Sequence, residues 1–278
     1  MPTAHFAQLS RLRLEYFEHG HGPTRVVLVH GFEASARIWT AVQQALPPEL
    51  YTSIAINNRG AGNSDAPSAD ADYGVQHFAT DAHELVAGLG WPGYTLVGHS
   101  MGGATVVQYA ADHPEDIAGL VLLNPVNPDG RPGTAQQIEA RVKAFLITRR
   151  ARLDAAAGNK SEVDPSTTAS DPTSDWRTLL DADMARAPEC RLRGSLRSMH
   201  AIRLGDRLAG LPMPVLLACG DLDDLIPLPD MLDTWKRLPV GSGLQVWHGI
   251  GHSPNLECPQ ALAELLRQFI EKRVVAKE

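Results

Sequence analysis

Residues 94–104 read Tyr94-Thr-Leu-Val-Gly98-His-Ser100-Met-Gly102-Gly-Ala104. An apolar run suited to a buried strand enters the pattern G-x-S-x-G and leaves as a helix-compatible stretch. A serine at so tight a strand-to-helix turn is forced into a strained backbone conformation that pushes Oγ into the open. Gly98 and Gly102 must be small for strand and helix to approach each other around it. The helix N-terminus adds the positive end of its dipole and an unbonded N–H from Met101. The five-residue pattern alone carries little weight; its position between strand and helix carries most of it.

Outward from this turn, short apolar runs alternate with longer amphipathic ones. Strands are expected at Leu12–Phe17, Val26–Val29, Ser53–Ile56, Tyr94–Val97, Leu120–Leu123, Val215–Ala218 and Leu244–Trp247. Helical patterns lie near Ala36–Leu46, Val75–Leu89, Ala104–Asp112, Pro229–Leu238 and Pro259–Lys272. In the last, Leu262, Leu265, Leu266, Phe269 and Ile270 share one face at period 3.6. Runs such as VVLV and LVLL are apolar on both faces, as a sheet covered on both sides requires. Alternating strands and helices imply parallel pairing with right-handed crossovers.

The alternation stops after Leu123. From about residue 127 to 206 the sequence shows no convincing strand, only Arg-rich helical segments (Thr134–Leu153, Trp176–Ala187, Cys190–Arg203) around the polar stretch GNKSEVDPSTTASDPTSD, which reads as a loop. Strand character returns at Pro214. An all-helical insertion is therefore expected at 127–206, within one α/β unit formed by 1–126 and 207–278. Residues 127–210 hold 14 basic and 11 acidic side chains against a whole-chain charge of −7. Arg149, Arg150, Arg191, Arg193 and Arg197 supply part of this excess, which either favours an anionic substrate or dresses solvated helix faces.

The 278 residues, 44% apolar and 21% charged, can bury a large core and exclude a mostly disordered or fibrous chain. An excess of acidic over basic groups offers no general nucleic-acid footprint. Cys190, Cys219 and Cys258 are too few and scattered for a disulfide framework or a C-x-x-C zinc site. No secretory leader and no bilayer-length apolar run is seen, so a cytoplasmic protein without membrane attachment is expected.

A serine hydroxyl needs a base, and the base needs an orienting acid. His252, in Trp247-His-Gly-Ile-Gly-His-Ser-Pro254 between the last strand and last helix, is the best-placed base. His99 sits within the turn and reads as a packed residue, and His248, four positions early, as structural. The acid is expected after the penultimate strand, where Gly220-Asp-Leu-Asp-Asp-Leu-Ile-Pro227 offers Asp221, Asp223 and Asp224. Their spacing does not fit a calcium loop, and no metal is expected. Val29-His-Gly-Phe-Glu33 ends a strand in a loop whose Phe32 N–H, with that of Met101, can meet negative charge developing on a carbonyl oxygen.

VHGF at 29–32, NxRGxGxSD at 57–65, GHSMGG at 98–103, GDLDDLIP at 220–227 and GxGHxxxxExP at 249–259 resemble the α/β-hydrolase superfamily, in its esterase, perhydrolase and haloperoxidase-like branch. The resemblance covers nearly all of the chain outside the insertion. It implies an eight-stranded, mostly parallel twisted sheet with helices on both faces, and a helical cap at 127–206. It places the acid four residues before Pro227, at Asp223. It implies a serine hydrolase needing no cofactor, whose Ser100 attacks a small ester, lactone or related acyl substrate. Candidate pocket residues are Phe32, Glu33, Met101, Phe145, Leu146, Met184, Leu225 and Ile226.

Two positions depart from the family's pattern. Asn57 stands where aspartate is usual, a change expected to be structural. Glu33 replaces an apolar or small residue; it either stands in solvent or faces the pocket and takes a cationic or hydroxylated substrate group. A serine at position 100 argues against epoxide hydrolases and haloalkane dehalogenases, which use aspartate there. Ser253 replaces the aromatic residue that carbon–carbon bond hydrolases commonly carry after their histidine. A non-catalytic ligand receptor of the same fold, or cofactor-free perhydrolysis, would keep the same residues. A nucleotide-binding oxidoreductase would need G-x-G-x-x-G where this chain has HGFEAS at 30–35.

Overall fold

The computed structural model describes residues 1–158 and 182–274. Eight strands form one sheet: β1 Thr3–Gln8, β2 Arg13–Gly20, β3 Thr24–Val29, β4 Tyr51–Ile56, β5 Tyr94–His99, β6 Ile117–Leu123, β7 Val215–Gly220 and β8 Gly243–Trp247. Their spatial order is β1-β2-β4-β3-β5-β6-β7-β8. β2 runs antiparallel to both neighbours, and every later pairing is parallel. β1, absent from the sequence expectation, is an edge strand of mixed, mostly exposed residues with neither a long apolar run nor a buried face.

The central strands bury both faces by simple alternation. Val27, Val29, Leu96, Leu120, Leu122 and Leu217 point to one side, where they meet α2 (Val75–Gly88) and α3 (Met101–Asp112). Val26, Leu28, Val97, Val121, Leu123 and Leu216 point to the other, packing on Trp39, Val42, Leu46 and a C-terminal helix, Pro259–Phe269. That helix buries Leu262, Leu266 and Phe269 on one face, and fully burying each such side chain contributes about 2 kcal/mol. The expected helix at Ala36–Leu46 divides into a 3-10 turn, Ala36–Trp39, and α1, Thr40–Ala45. α3 starts at Met101, three residues before the sequence pattern suggested.

Chain reversal at β3 sends β4 to one side of it and β5 to the other. This leaves a crevice at the carboxyl ends of β3 and β5, where α/β sheets bind ligands. Between β6 and β7 the described residues contain helices only, chiefly α4 (Ala135–Gly158) and α5 (Glu189–Ala201). Gly158, the first residue of the expected loop at 158–175, ends α4; the rest of that loop and the start of the expected helix at Trp176–Ala187 lie outside the described residues, and residues 182–186 are helical. α5 is pinned to the segment ahead of α2 by ion pairs from Arg193 and Arg197 to Asp70.

α5 also carries Arg191, whose environment corrects the expectation of a solvated helix face. Its side chain is 2% exposed and donates to the carbonyls of Gly60 and Ala34 at 3.2 and 2.9 Å. Burial pushes its pKa down to about 10, against the opposing pull of Asp183, Tyr73 and Glu33. Such a residue ties the insertion to the loop after β3.

Candidate active site

Ser100 links β5 to α3 at φ 54°, ψ −119°, a left-handed backbone conformation that costs about 1–3 kcal/mol for a residue with a side chain. The strain is held by close approach. A Cβ on Gly98 would sit 2.2 Å from the Gly102 carbonyl oxygen, and one on Gly31 would sit 2.9 Å from Ser100 Cβ. The Ser100 amide donates to the Leu123 carbonyl at 3.0 Å, anchoring the turn to β6. The Ser100 hydroxyl makes no hydrogen bond among the described residues and opens on a cavity of about 750 Å³.

His252 lines the same cavity from the loop after β8. Its Nδ1 lies 2.7 Å from Oδ2 of Asp223, which stands just beyond β7. An ionised carboxylate can only accept, so Nδ1 carries the proton and Nε2 is left as an acceptor. Asp223 receives three further bonds: the Leu225 and Ile226 amides donate to Oδ1 at 2.9 and 3.0 Å, and Asn124 Nδ2 to Oδ2 at 2.7 Å. Burial works to raise the pKa of Asp223, but the His252 contact and these donors outweigh it and hold the carboxyl below its ordinary range.

The geometry separates the three aspartates. Asp221 accepts from His248 Nδ1 at 2.6 Å and from the Gly249 amide at 2.7 Å, pinning the exposed turn ahead of His252. Asp224 lines the cavity but pairs with no imidazole among the described residues. His99 is more than a packed residue. Burial first, and then the His252 ring, push its pKa down to about 3, so it is neutral and its Nε2–H donates to the His252 carbonyl at 2.8 Å. Glu257 accepts from the amides on either side, Gly251 and Ser253, at 2.8 and 2.9 Å. The backbone around His252 is thus held at three points.

Phe32 and Met101 follow β3 and β5, whose register pairs Val29 with Gly98. Neither amide donates to any group among the described residues. His30, buried and pushed down to about 3 chiefly by desolvation, donates Nδ1–H to the Gly31 carbonyl and accepts from the Asn58 amide, fixing the loop that presents Phe32. Asn57 belongs to the same network: its Oδ1 accepts from Ala36 and its Nδ2 donates to buried Glu15, each at 2.7 Å. An aspartate there would face Glu15 carboxylate to carboxylate.

Of the other candidates, Phe32, Glu33, Met184, Leu225 and Ile226 line the cavity. Phe145 reaches it indirectly, its ring 5.3 Å from that of Phe32. Leu146 lies instead in a separate groove of α4 beside Val142 and Arg193, one residue round the helix from Phe145. Met101 is wholly buried and is not among the residues lining the cavity, because its side chain packs into the core beneath β3 and β5. Asn124, Glu257 and Arg191 were missed as site residues. Asn124 was the most findable, a lone amide ending the apolar strand LVLL. No trio of His, Cys, Asp or Glu placed to hold a metal occurs among the described residues. No described helix is long and apolar enough to cross a membrane.

A strained serine turn, a carboxylate-bound imidazole and a sheet of this topology belong to a hydrolase of the α/β class. The chain belongs to the α/β-hydrolase family, whose model, described as alpha/beta hydrolase fold, matches residues 24–259. It is 27% identical to the non-heme haloperoxidase of Rhodococcus erythropolis over 256 residues, covering 86% of this chain and 89% of that one. Among solved structures, bromoperoxidase from Bacillus anthracis superposes with a TM-score of 0.81 at 24% identity, covering 97% of this chain and 100% of that one. An esterase from Exiguobacterium antarcticum gives the same TM-score and coverages at 22% identity.

Proposed function

We propose that this enzyme is a serine hydrolase cleaving a small carboxylic ester, lactone or related acyl compound through an acyl-enzyme. Ser100 Oγ attacks the acyl carbon while His252 Nε2 takes its proton. The tetrahedral oxyanion receives the Phe32 and Met101 amides, which are preorganised and unspent. His252 returns the proton to the leaving oxygen, and water then hydrolyses the acyl-serine by the same proton path. Asp223 fixes the imidazole tautomer and stabilises the imidazolium that forms. The observation that carries this reading is the 2.7 Å His252–Asp223 bond on the wall of the cavity into which Ser100 opens. An apo serine–histidine contact is commonly loose and tightens on substrate binding.

Replacing Ser100 with alanine should lower kcat for p-nitrophenyl acetate by on the order of 10⁴ to 10⁶ without altering the fold. A fluorophosphonate should label the wild type at residue 100. Near-full activity in the variant overturns the reading. The resemblance to a haloperoxidase favours one second reading: peroxide replaces water at the acyl-serine and releases a peracid. Peracetic acid formation from acetate and peroxide, lost in Ser100→Ala, tests it.

A further inference from the structure

Glu33 is built into the cavity wall at some cost. It is a non-glycine residue in the left-handed region, with φ 60°, and its side chain is 16% exposed. Among the described residues Oε1 is enclosed and accepts no hydrogen bond, and the nearest cation is Arg149 Nε at 3.7 Å, itself enclosed and unbonded. Oε2 also accepts nothing among the described residues, and with Oε1 enclosed it is the oxygen left for the cavity. A carboxylate needed only for solubility would stand in water. This one is held beside the reacting centre with acceptor capacity unused.

Three guanidiniums set what it can receive. Burial raises the Glu33 pKa and outweighs the pull of Arg149, Arg152 and Arg191; among the described residues these three guanidiniums surround this carboxyl. Arg152 lines the cavity as well. An ammonium approaching Glu33 would meet these cations. A hydroxyl would not, and it can donate to the carboxylate while accepting from a guanidinium. Ile38, Val126, Met184 and Leu256 give the same cavity an apolar wall, which also carries Asn127, Arg131, Asp224 and Asp230.

Resting on the Ser100 reading, we infer that Glu33 forms an acyl-side subsite selecting substrates with a neutral hydroxyl about two to four bonds from the reacting carbonyl. The distance follows from chain geometry. Glu33 directly follows Phe32 and consecutive Cα atoms lie about 3.8 Å apart, so a group held by Glu33 lies within a few bonds of an oxygen held at the Phe32 amide.

The test uses phenyl esters of butyric, 2-hydroxybutyric, 3-hydroxybutyric and 3-aminobutyric acids, with each kcat/KM normalised to spontaneous hydrolysis. The wild type should prefer at least one hydroxy ester over butyrate by tenfold or more, as a hydrogen bond to a charged group allows. Glu33→Met should collapse that ratio to within about threefold, and the isosteric Glu33→Gln should retain an intermediate ratio. Comparable wild-type rates on hydroxy and plain esters overturn the subsite, as does an undiminished ratio in Glu33→Met. A preference for the amino ester over both hydroxy esters overturns the neutral-donor assignment. Absence of Ser100-dependent turnover on every ester overturns the parent reading and the subsite with it.

Discussion

Replacing Asp223 with asparagine keeps the shape of the acid but reverses one of its faces. Oδ1 accepts the Leu225 and Ile226 amides, which forces the asparagine oxygen to that side. The new NH₂ then points at His252 Nδ1 and Asn124 Nδ2, each 2.7 Å from the atom it replaces and each a donor today. Donor against donor is resolved by moving the imidazole proton to Nε2. That nitrogen can no longer accept from Ser100, and the imidazolium of the transition state loses its counter-charge. The expected loss is about 10⁴ in kcat, or about 5 kcal/mol at 1.36 kcal/mol per decade. Steady-state hydrolysis of p-nitrophenyl acetate reads it, with fluorophosphonate labelling slowed in parallel and near-ultraviolet dichroism reporting an intact fold. A variant within tenfold of wild type would refute the assignment of Asp223.

Three further perturbations follow from other parts of the network. His99 is neutral when folded down to about pH 3 but takes a proton near 6.5 when unfolded, so it makes stability rise with pH across that window. His99→Gln should therefore flatten the slope of urea-unfolding free energy between pH 4.5 and 6 by about 1.4 kcal/mol per pH unit; an unchanged slope counts against a buried neutral ring. Asn57→Asp sets two buried carboxylates against each other at Glu15 and should cost about 2–4 kcal/mol at pH 7. Glu15→Gln in the same chain should restore most of this, and additive losses would contradict the pairing. Arg191→Met strands the Ala34 and Gly60 carbonyls and leaves Asp183 with less positive charge; a loss of about 3 kcal/mol by chemical denaturation is expected. A change below 0.5 kcal/mol would mean that the insertion docks without it.

What was legible in the sequence was whatever local physics encodes. VVLV and LVLL announced doubly covered strands, and the strained serine turn announced itself because its glycines are packed against backbone. Spacing left three aspartates open after β7. The resemblance pointed to Asp223, and in the structure Asp223 is the one in contact with His252. Residues whose work depends on distant partners were not legible. Arg191 sits on a helix among other arginines, and only the docking of α5 on Ala34 and Gly60 distinguishes a buried tie from a solvated charge. Leu146 and Phe145 are neighbours on α4, and the helix rotation that puts one near Phe32 and the other in an outer groove has no signature in a helix without a clear apolar stripe. β1 was missed because its pairing with β2 owes more to the backbone ladder than to buried side chains.

The serine turn follows β5, whereas Asp223 and His252 come from beyond the insertion, after β7 and β8. The proposed nucleophile and its base therefore meet only where β7 and β8 have joined the sheet beside β6. A fragment ending before β7 would hold the serine turn but neither of its proposed partners.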